Sequence, residues 1–264
     1  MKKIANYLTV FVVMMIISLF SSCCALSQPS KQAFYEIKIY HVYGSQERKV
    51  DAFLKDVYLP ALHKAGITKV GVFKPIETDV LAGKMIVVFI PFNSIDQYLS
   101  LAETLSKDKQ YVEKGASFLN APYNEPPYNR HESILLKAFK NMPQPFFPEY
   151  SNPVSERVYE LRSYESATEE LAIKKIHMFN EGGEIDIFTK YGFNAVFYGE
   201  VLAGKTKPNL MYMTTFTNMQ SRDDHWTAFG ASPEWRTLSP KEEYRNTVSY
   251  IDRYLLRPTS YSDF

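Results

Sequence analysis

The sequence predicts an α+β fold in which one β-α-β-β-α-β unit, the ferredoxin-like order, occurs twice and pairs sheet to sheet. Three observations predict it. Short motifs recur in the same order through both halves of the 264 residues. Each half alternates strand-like runs with stretches of helical spacing. The chain is 45% hydrophobic and 15% aromatic, enough for one well-packed core or two smaller ones.

The recurrence begins at the first strand. Phe34-Tyr35-Glu36-Ile37-Lys38-Ile39-Tyr40 resembles Val158-Tyr159-Glu160-Leu161-Arg162-Ser163-Tyr164. Val80-Leu81-Ala82-Gly83-Lys84 returns letter for letter at Val201-Leu202-Ala203-Gly204-Lys205, and Leu135-Leu136-Lys137 answers Leu255-Leu256-Arg257. The spacing stays nearly constant, with Lys207-Pro208-Asn209 read as a short loop insertion. Ordered matches at constant offset mark a duplication. Repeat 1 spans 33–140, repeat 2 spans 156–262, and residues 141–155, with the Pro-rich Met142–Pro148, form the linker.

Each repeat opens with a strand (34–43; 157–164). A helix follows (46–64; 168–190), carrying Val50, Phe53, Leu54 and Val57 at helical spacing in repeat 1. Gly66 and Gly192 stand where these helices should stop. Two strands come next (67–74 and 84–91; 193–200 and 210–217), joined by the VLAGK turn, in which Gly83 and Gly204 supply backbone freedom. One glycine and one lysine fall far short of a phosphate-binding loop. A second helix (94–106; 219–230) and a last strand (131–139; 247–257) complete each unit.

Residues 1–27 read as a leader. Lys2 and Lys3 precede an apolar run from Leu8 to Phe20, then small residues. The run is too short to span a membrane and suits a signal peptide. Two cleavage sites compete. Phe20-Ser21-Ser22-Cys23 fits a loose lipobox that would acylate Cys23, and Ala25-Leu26-Ser27 fits a small-x-small site that would leave Gln28 first. The expected address is the bacterial periplasm, free or anchored through Cys23. Both cysteines lie in this leader, so the exported domain has no disulfide and no thiolate. The formal charge is +1, without the basic field that nucleic acid requires. The partners the sequence allows are a small molecule, a further homo-oligomer and, through an acylated Cys23 alone, a membrane.

Strand alternation sorts the first strands into two faces. Tyr35, Ile37 and Ile39, with Tyr159, Leu161 and Ser163, are expected beneath the helices. Glu36, Lys38 and Tyr40, with Glu160, Arg162 and Tyr164, are expected to line an interior where two sheets close on each other. There they form either an ion-pair network that holds register or a ligand cavity, with Lys38 and Arg162 holding an acidic or carbonyl group and Tyr40 and Tyr164 donating. A second cluster, Arg222, His225 and Trp226, shares one helical face with Phe229, and Trp235 follows. Packing is the plainer reading, with Ser221 as N-cap and both tryptophans as anchors. Repeat 1 has no His or Trp at that place, so this asymmetry directs any chemistry to repeat 2. No histidine pair has metal-site spacing, no cofactor is called for, and a lone haem ligand at His177 or His225 is the alternative.

The paired Tyr-Glu-Ile-Lys-Ile-Tyr and Tyr-Glu-Leu-Arg-Ser-Tyr strands resemble NIPSNAP domains. So do Gln220-Ser221-Arg222 through Trp226-Thr227-Ala228-Phe229 to Pro233-Glu234-Trp235, Ser133–Phe139 and Tyr254–Ser262. The likeness covers about residues 34–262 and is better in repeat 2. It implies a dimeric α/β barrel, here closed within one chain. That barrel superfamily includes cofactor-independent monooxygenases and haem-degrading enzymes, a likeness of fold that does not fix function. The expectation is an exported binding or interaction protein with a small-ligand cavity between its two sheets, the alternative being such an oxygenase.

Overall fold

The structure, a computed structural model, describes residues 31–264. The leader, both cleavage alternatives and Cys23 lie outside the described residues. Repeat 1 runs β1 (Phe34–His41), α1 (Gln46–Phe53), a π-helical turn (Leu54–Tyr58), α2 (Leu59–Lys64), β2 (Gly71–Pro75), β3 (Met85–Phe92), α3 (Ile95–Lys107), α4 (Lys109–Leu119) and β4 (Arg130–Ala138). Repeat 2 runs β5 (Val158–Glu165), α5 (Glu169–Asn180), α6 (Glu184–Lys190), β6 (Asn194–Ala203), β7 (Asn209–Phe216), α7 (Met219–Ala231), α8 (Pro233–Leu238) and β8 (Tyr250–Pro258).

The eight strands close into one antiparallel barrel in the order β1-β3-β2-β8-β5-β7-β6-β4. Closure removes every sheet edge. The repeats meet along two seams, β2 with β8 and β4 with β6. Helices cover the outside of each half. The single long helices expected in each repeat are interrupted. The first carries a π-helical turn, and the second breaks before Gly183, whose φ is +89°. Helix ends at Gly66 (φ +84°) and Gly192 (φ +76°) stand where the sequence puts them. Helix α4 has no counterpart in the sequence reading. Its signal is Asp108, which accepts from the Gln110 amide as an N-cap. The two VLAGK copies differ: Val80–Lys84 is all turn, whereas Val201–Ala203 extends β6.

The strand faces are opposite to expectation. Tyr35, Ile37, Ile39, Tyr159 and Leu161 point into the barrel with Phe73, Phe89 and Phe197, and this interior is one apolar cluster. Tyr35 packs on Phe89 and Phe197 at ring distances of 5.3 and 5.2 Å, and Tyr159 on Phe73 at 4.8 Å. Glu36, Lys38 and Tyr40, and Glu160, Arg162 and Tyr164, instead face the helices of their own repeat. The physical reason is solvation. A closed barrel has no route to water for a charged group, whereas the helix layer supplies long polar partners and leaves the outer faces of β4 and β8 open. Arg130, His131 and Ser133 on β4, and Ile251 and Arg253 on β8, are exposed. Two further apolar clusters fill the spaces under the helices of repeat 1 and repeat 2. A ligand cavity between the two sheets is therefore not what the barrel holds. Aromatic and aliphatic side chains occupy it.

Each repeat fastens the other with the residues that follow its last strand. After β4, Phe139 donates its amide to Tyr198 O, and Asn141 donates its amide to Asn180 Oδ1 and its side-chain Nδ2 to Asn180 O. After β8, Thr259 donates its amide to Val72 O, the Tyr261 hydroxyl bonds Asp51 at 2.6 Å, and Asp263 accepts from the Val70 amide.

Candidate functional site

In repeat 2 the polar face of β5 meets α7. Asn218, rather than Ser221, caps α7 by accepting the Ser221 amide at 2.8 Å. Arg222 and Trp226, one turn apart, then reach down to the same strand residue. That residue is Glu160, which is fully buried. Its carboxylate accepts from Arg162 Nε at 2.8 Å, from Arg222 Nε and Nη2 at 2.8 and 2.9 Å, and from Trp226 Nε1 at 2.8 Å. Burial raises the Glu160 pKa, but the two guanidinium groups and the indole N–H outweigh it and hold the carboxyl below its usual range. The Arg162 guanidinium also lies 3.8 Å from the Trp226 ring centroid and donates weakly to the Tyr164 hydroxyl at 3.3 Å. Tyr212 donates to that hydroxyl at 2.8 Å.

A second buried pair lies behind this network. Lys175 on α5 bonds Glu184 on α6 at 2.7 Å. The ammonium sits over the rings of Phe179, Tyr164 and Trp235 at 4.8, 5.5 and 5.6 Å. Burial pushes the Glu184 carboxyl up, against the pull of Lys175. The pair ties α5 to α6 across the turn at Gly183.

Four of the expected site residues, Arg162, Tyr164, Arg222 and Trp226, thus gather around Glu160. Trp235 packs nearby on Phe229 at 4.7 Å. His225 does not join them. Its Nδ1 faces Ser221 O, and its ring packs between Phe193 and Phe216 beside Gly192. His177 is exposed and bonds the Tyr244 hydroxyl at 2.9 Å. Glu160, the hub, belongs to the strand pattern seen in the sequence. Its weight is legible only once Arg222 and Trp226 are known to lie above it.

In repeat 1 the equivalent strand is arranged differently. Ser133 on β4 donates to Glu36 at 2.6 Å. Lys38 has its protein acceptors at long range, Glu36 at 3.7 Å and the Tyr58 hydroxyl at 3.5 Å, with the Tyr58 ring 5.3 Å away. Burial opposes its charge, but Glu36, Tyr40 and Tyr111 prevail, so its pKa is raised and it stays protonated. Tyr40 packs against Tyr128 and His131 at 5.3 and 5.9 Å. Burial, with Lys38 close by, lowers the His131 pKa, so this ring is neutral at pH 7. Tyr58 comes from the π-helical turn, a helix defect often found at functional sites. Lys38 and Tyr40 therefore do not share a site with Arg162 and Tyr164. The two sets lie outside different sheets, with the filled barrel between them. Among the described residues, no three His, Asp or Glu side chains converge as a metal site.

A closed α+β barrel with a Tyr-Glu-x-basic-x-Tyr strand in each half is the class these features define. The NIPSNAP family model matches residues 159–263, so the second repeat is similar to NIPSNAP domains. No curated protein matches it in sequence. Among solved structures, a candidate monooxygenase from Lactobacillus acidophilus NCFM is similar over 86% of this chain and 94% of that one, with a TM-score of 0.56 at 12% identity. A candidate monooxygenase from Fusobacterium nucleatum is similar over 86% and 93%, with a TM-score of 0.54 at 10% identity. At these identities the likeness is one of fold.

Proposed function

We propose that the chain is a small-molecule-binding protein whose ligand seat is the Lys38 cluster of repeat 1, on the helix-covered face of β1. The observation that carries this reading is the unequal use of donors in the two repeats. The guanidinium groups of Arg162 and Arg222 are spent on Glu160, and Trp226 covers Arg162. Lys38 is a charged group with three donors and no protein acceptor closer than 3.5 Å, beyond the range of a normal hydrogen bond. It faces Tyr40, Tyr58 and Tyr111, which can donate to a ligand oxygen or stack on its body. An acidic or carbonyl group on a compact apolar molecule suits that seat. The sequence asymmetry that favours repeat 2 reverses here, because the extra Arg and Trp of repeat 2 fill its seat. Export, with or without acylation of Cys23, is part of this proposal.

Binding of an aromatic carboxylate such as 4-hydroxybenzoate, followed by calorimetry, tests it. Lys38→Met is expected to weaken binding at least tenfold and Arg162→Lys to leave it unchanged. Equal binding by Lys38→Met would sink the assignment. A second reading, cofactor-independent oxygenation of the bound molecule, is favoured by the two barrel neighbours called candidate monooxygenases. Dioxygen uptake that depends on ligand and on Tyr58 would support it.

A further inference from the structure

Outside the tyrosine cluster, between α1 with its π-helical turn and α4, lies a cleft of about 460 Å³, the size of a small-ligand site. Its apolar wall is Ala52, Val57 and the parallel rings of Phe53 and Phe118, stacked at 3.9 Å. The helices approach closely at Gly115, where a Cβ would meet Val57 Cγ1 of the π-helical turn at 3.3 Å.

Four charged side chains also line the cleft: Lys49, Asp56, Lys114 and Glu125. Among the described residues none of them forms an ion pair, although the neighbouring Lys64 and Asp108 do so at 3.0 Å. The signs exclude simple ligands. All four are exposed, so a purely apolar molecule would draw no attraction from them. An anion would meet Asp56 and Glu125, and a cation would meet both lysines. A molecule carrying one charge of each sign satisfies the cleft. Spacing fixes its length. Lys49 on α1 and Asp56 on the π-helical turn are seven residues apart and line the same cleft, about 10 Å along the axis. An extended chain of three residues spans about that distance.

We propose that this cleft binds a short zwitterionic peptide of two or three residues. Its aromatic side chain lies on Phe53 and Phe118, and its termini meet Lys49 and Asp56. Lys114 and Glu125 line the same cleft and admit peptides with a polar flanking side chain. This site is separate from the Lys38 seat, with Phe53 as the shared wall.

The test is calorimetric titration of the protein with Gly-Phe-Gly and with its N-acetylated, C-amidated form. The free tripeptide is expected to bind at least tenfold more tightly, which corresponds to about 1.4 kcal/mol. Ala52→Trp should abolish binding with an unchanged thermal midpoint, and the double variant Lys49→Met, Asp56→Asn should lose the preference for free termini without losing the fold. Lys38→Met should bind the tripeptide normally. Loss with Lys38→Met alone would overturn this site while sparing the Lys38 seat. Equal binding of free and blocked peptides, or binding of neither at millimolar concentration, would also overturn it.

Discussion

Glu160 shows how one buried residue sets local electrostatics. It accepts four charge-assisted or indole hydrogen bonds and is fully buried, so neutralising it would leave Arg162 without a carboxylate and Arg222 with Asp223 alone. Glu160→Gln is expected to destabilise the protein by about 3–5 kcal/mol, the usual cost of removing one partner of a buried ion pair. Chemical denaturation measures this. Because the folded-state pKa of Glu160 is depressed, its contribution is fully present above the unfolded value and is lost as pH falls through the lower folded value. Stability should thus decline below about pH 4.5, and Glu160→Gln should flatten that decline. Tyr35 is the converse case. Its hydroxyl is buried in the barrel with no partner among the described residues, and burial raises its pKa. Tyr35→Phe should leave stability unchanged or raise it by about 1 kcal/mol, read from the same denaturation curves.

Elements obey local rules wherever the sequence states them plainly. Gly192 ends its helix region with φ +76°, and a Cβ there would lie 2.7 Å from His225 Nε2. Gly192→Ala combines left-handed backbone strain with that clash and should cost about 1–3 kcal/mol, measurable as a lowered thermal midpoint. The strands, the duplication and the helix stops are legible because alternation, constant spacing and glycine each follow from one local cause. Helix α4 is not, because Tyr111, Gly115 and Phe118 make a weak apolar stripe and its cap is a single Asp108. The inverted faces of β1 and β5 have a different origin. Alternation separates Tyr35, Ile37 and Ile39 from Glu36, Lys38 and Tyr40 correctly, but it carries no sign. Which face turns inward depends on the barrel seams and on Arg222 and Trp226, residues far along the chain. The same holds for the site. The residues gathered around Glu160 are named by the repeat, whereas the long-range contacts of Lys38 depend on what α7 brings to one repeat and α3 does not bring to the other.

Across the whole molecule, eight strands share one closed ladder, and the interior cluster draws on both repeats. Neither half can bury its inward face alone. Calorimetric unfolding should therefore show a single transition with equal calorimetric and van't Hoff enthalpies, whereas two transitions would mean that the halves melt separately. The reciprocal clasps have a consequence for covalent continuity. Asn141 and Tyr261 each fasten their own repeat to the other, so the connection through Pro148 is not what keeps the repeats together. A protease nick there should leave two fragments that copurify, and the separately expressed pieces should reassemble by complementation. The peptide link then serves chiefly to guarantee equal amounts of two unlike partners.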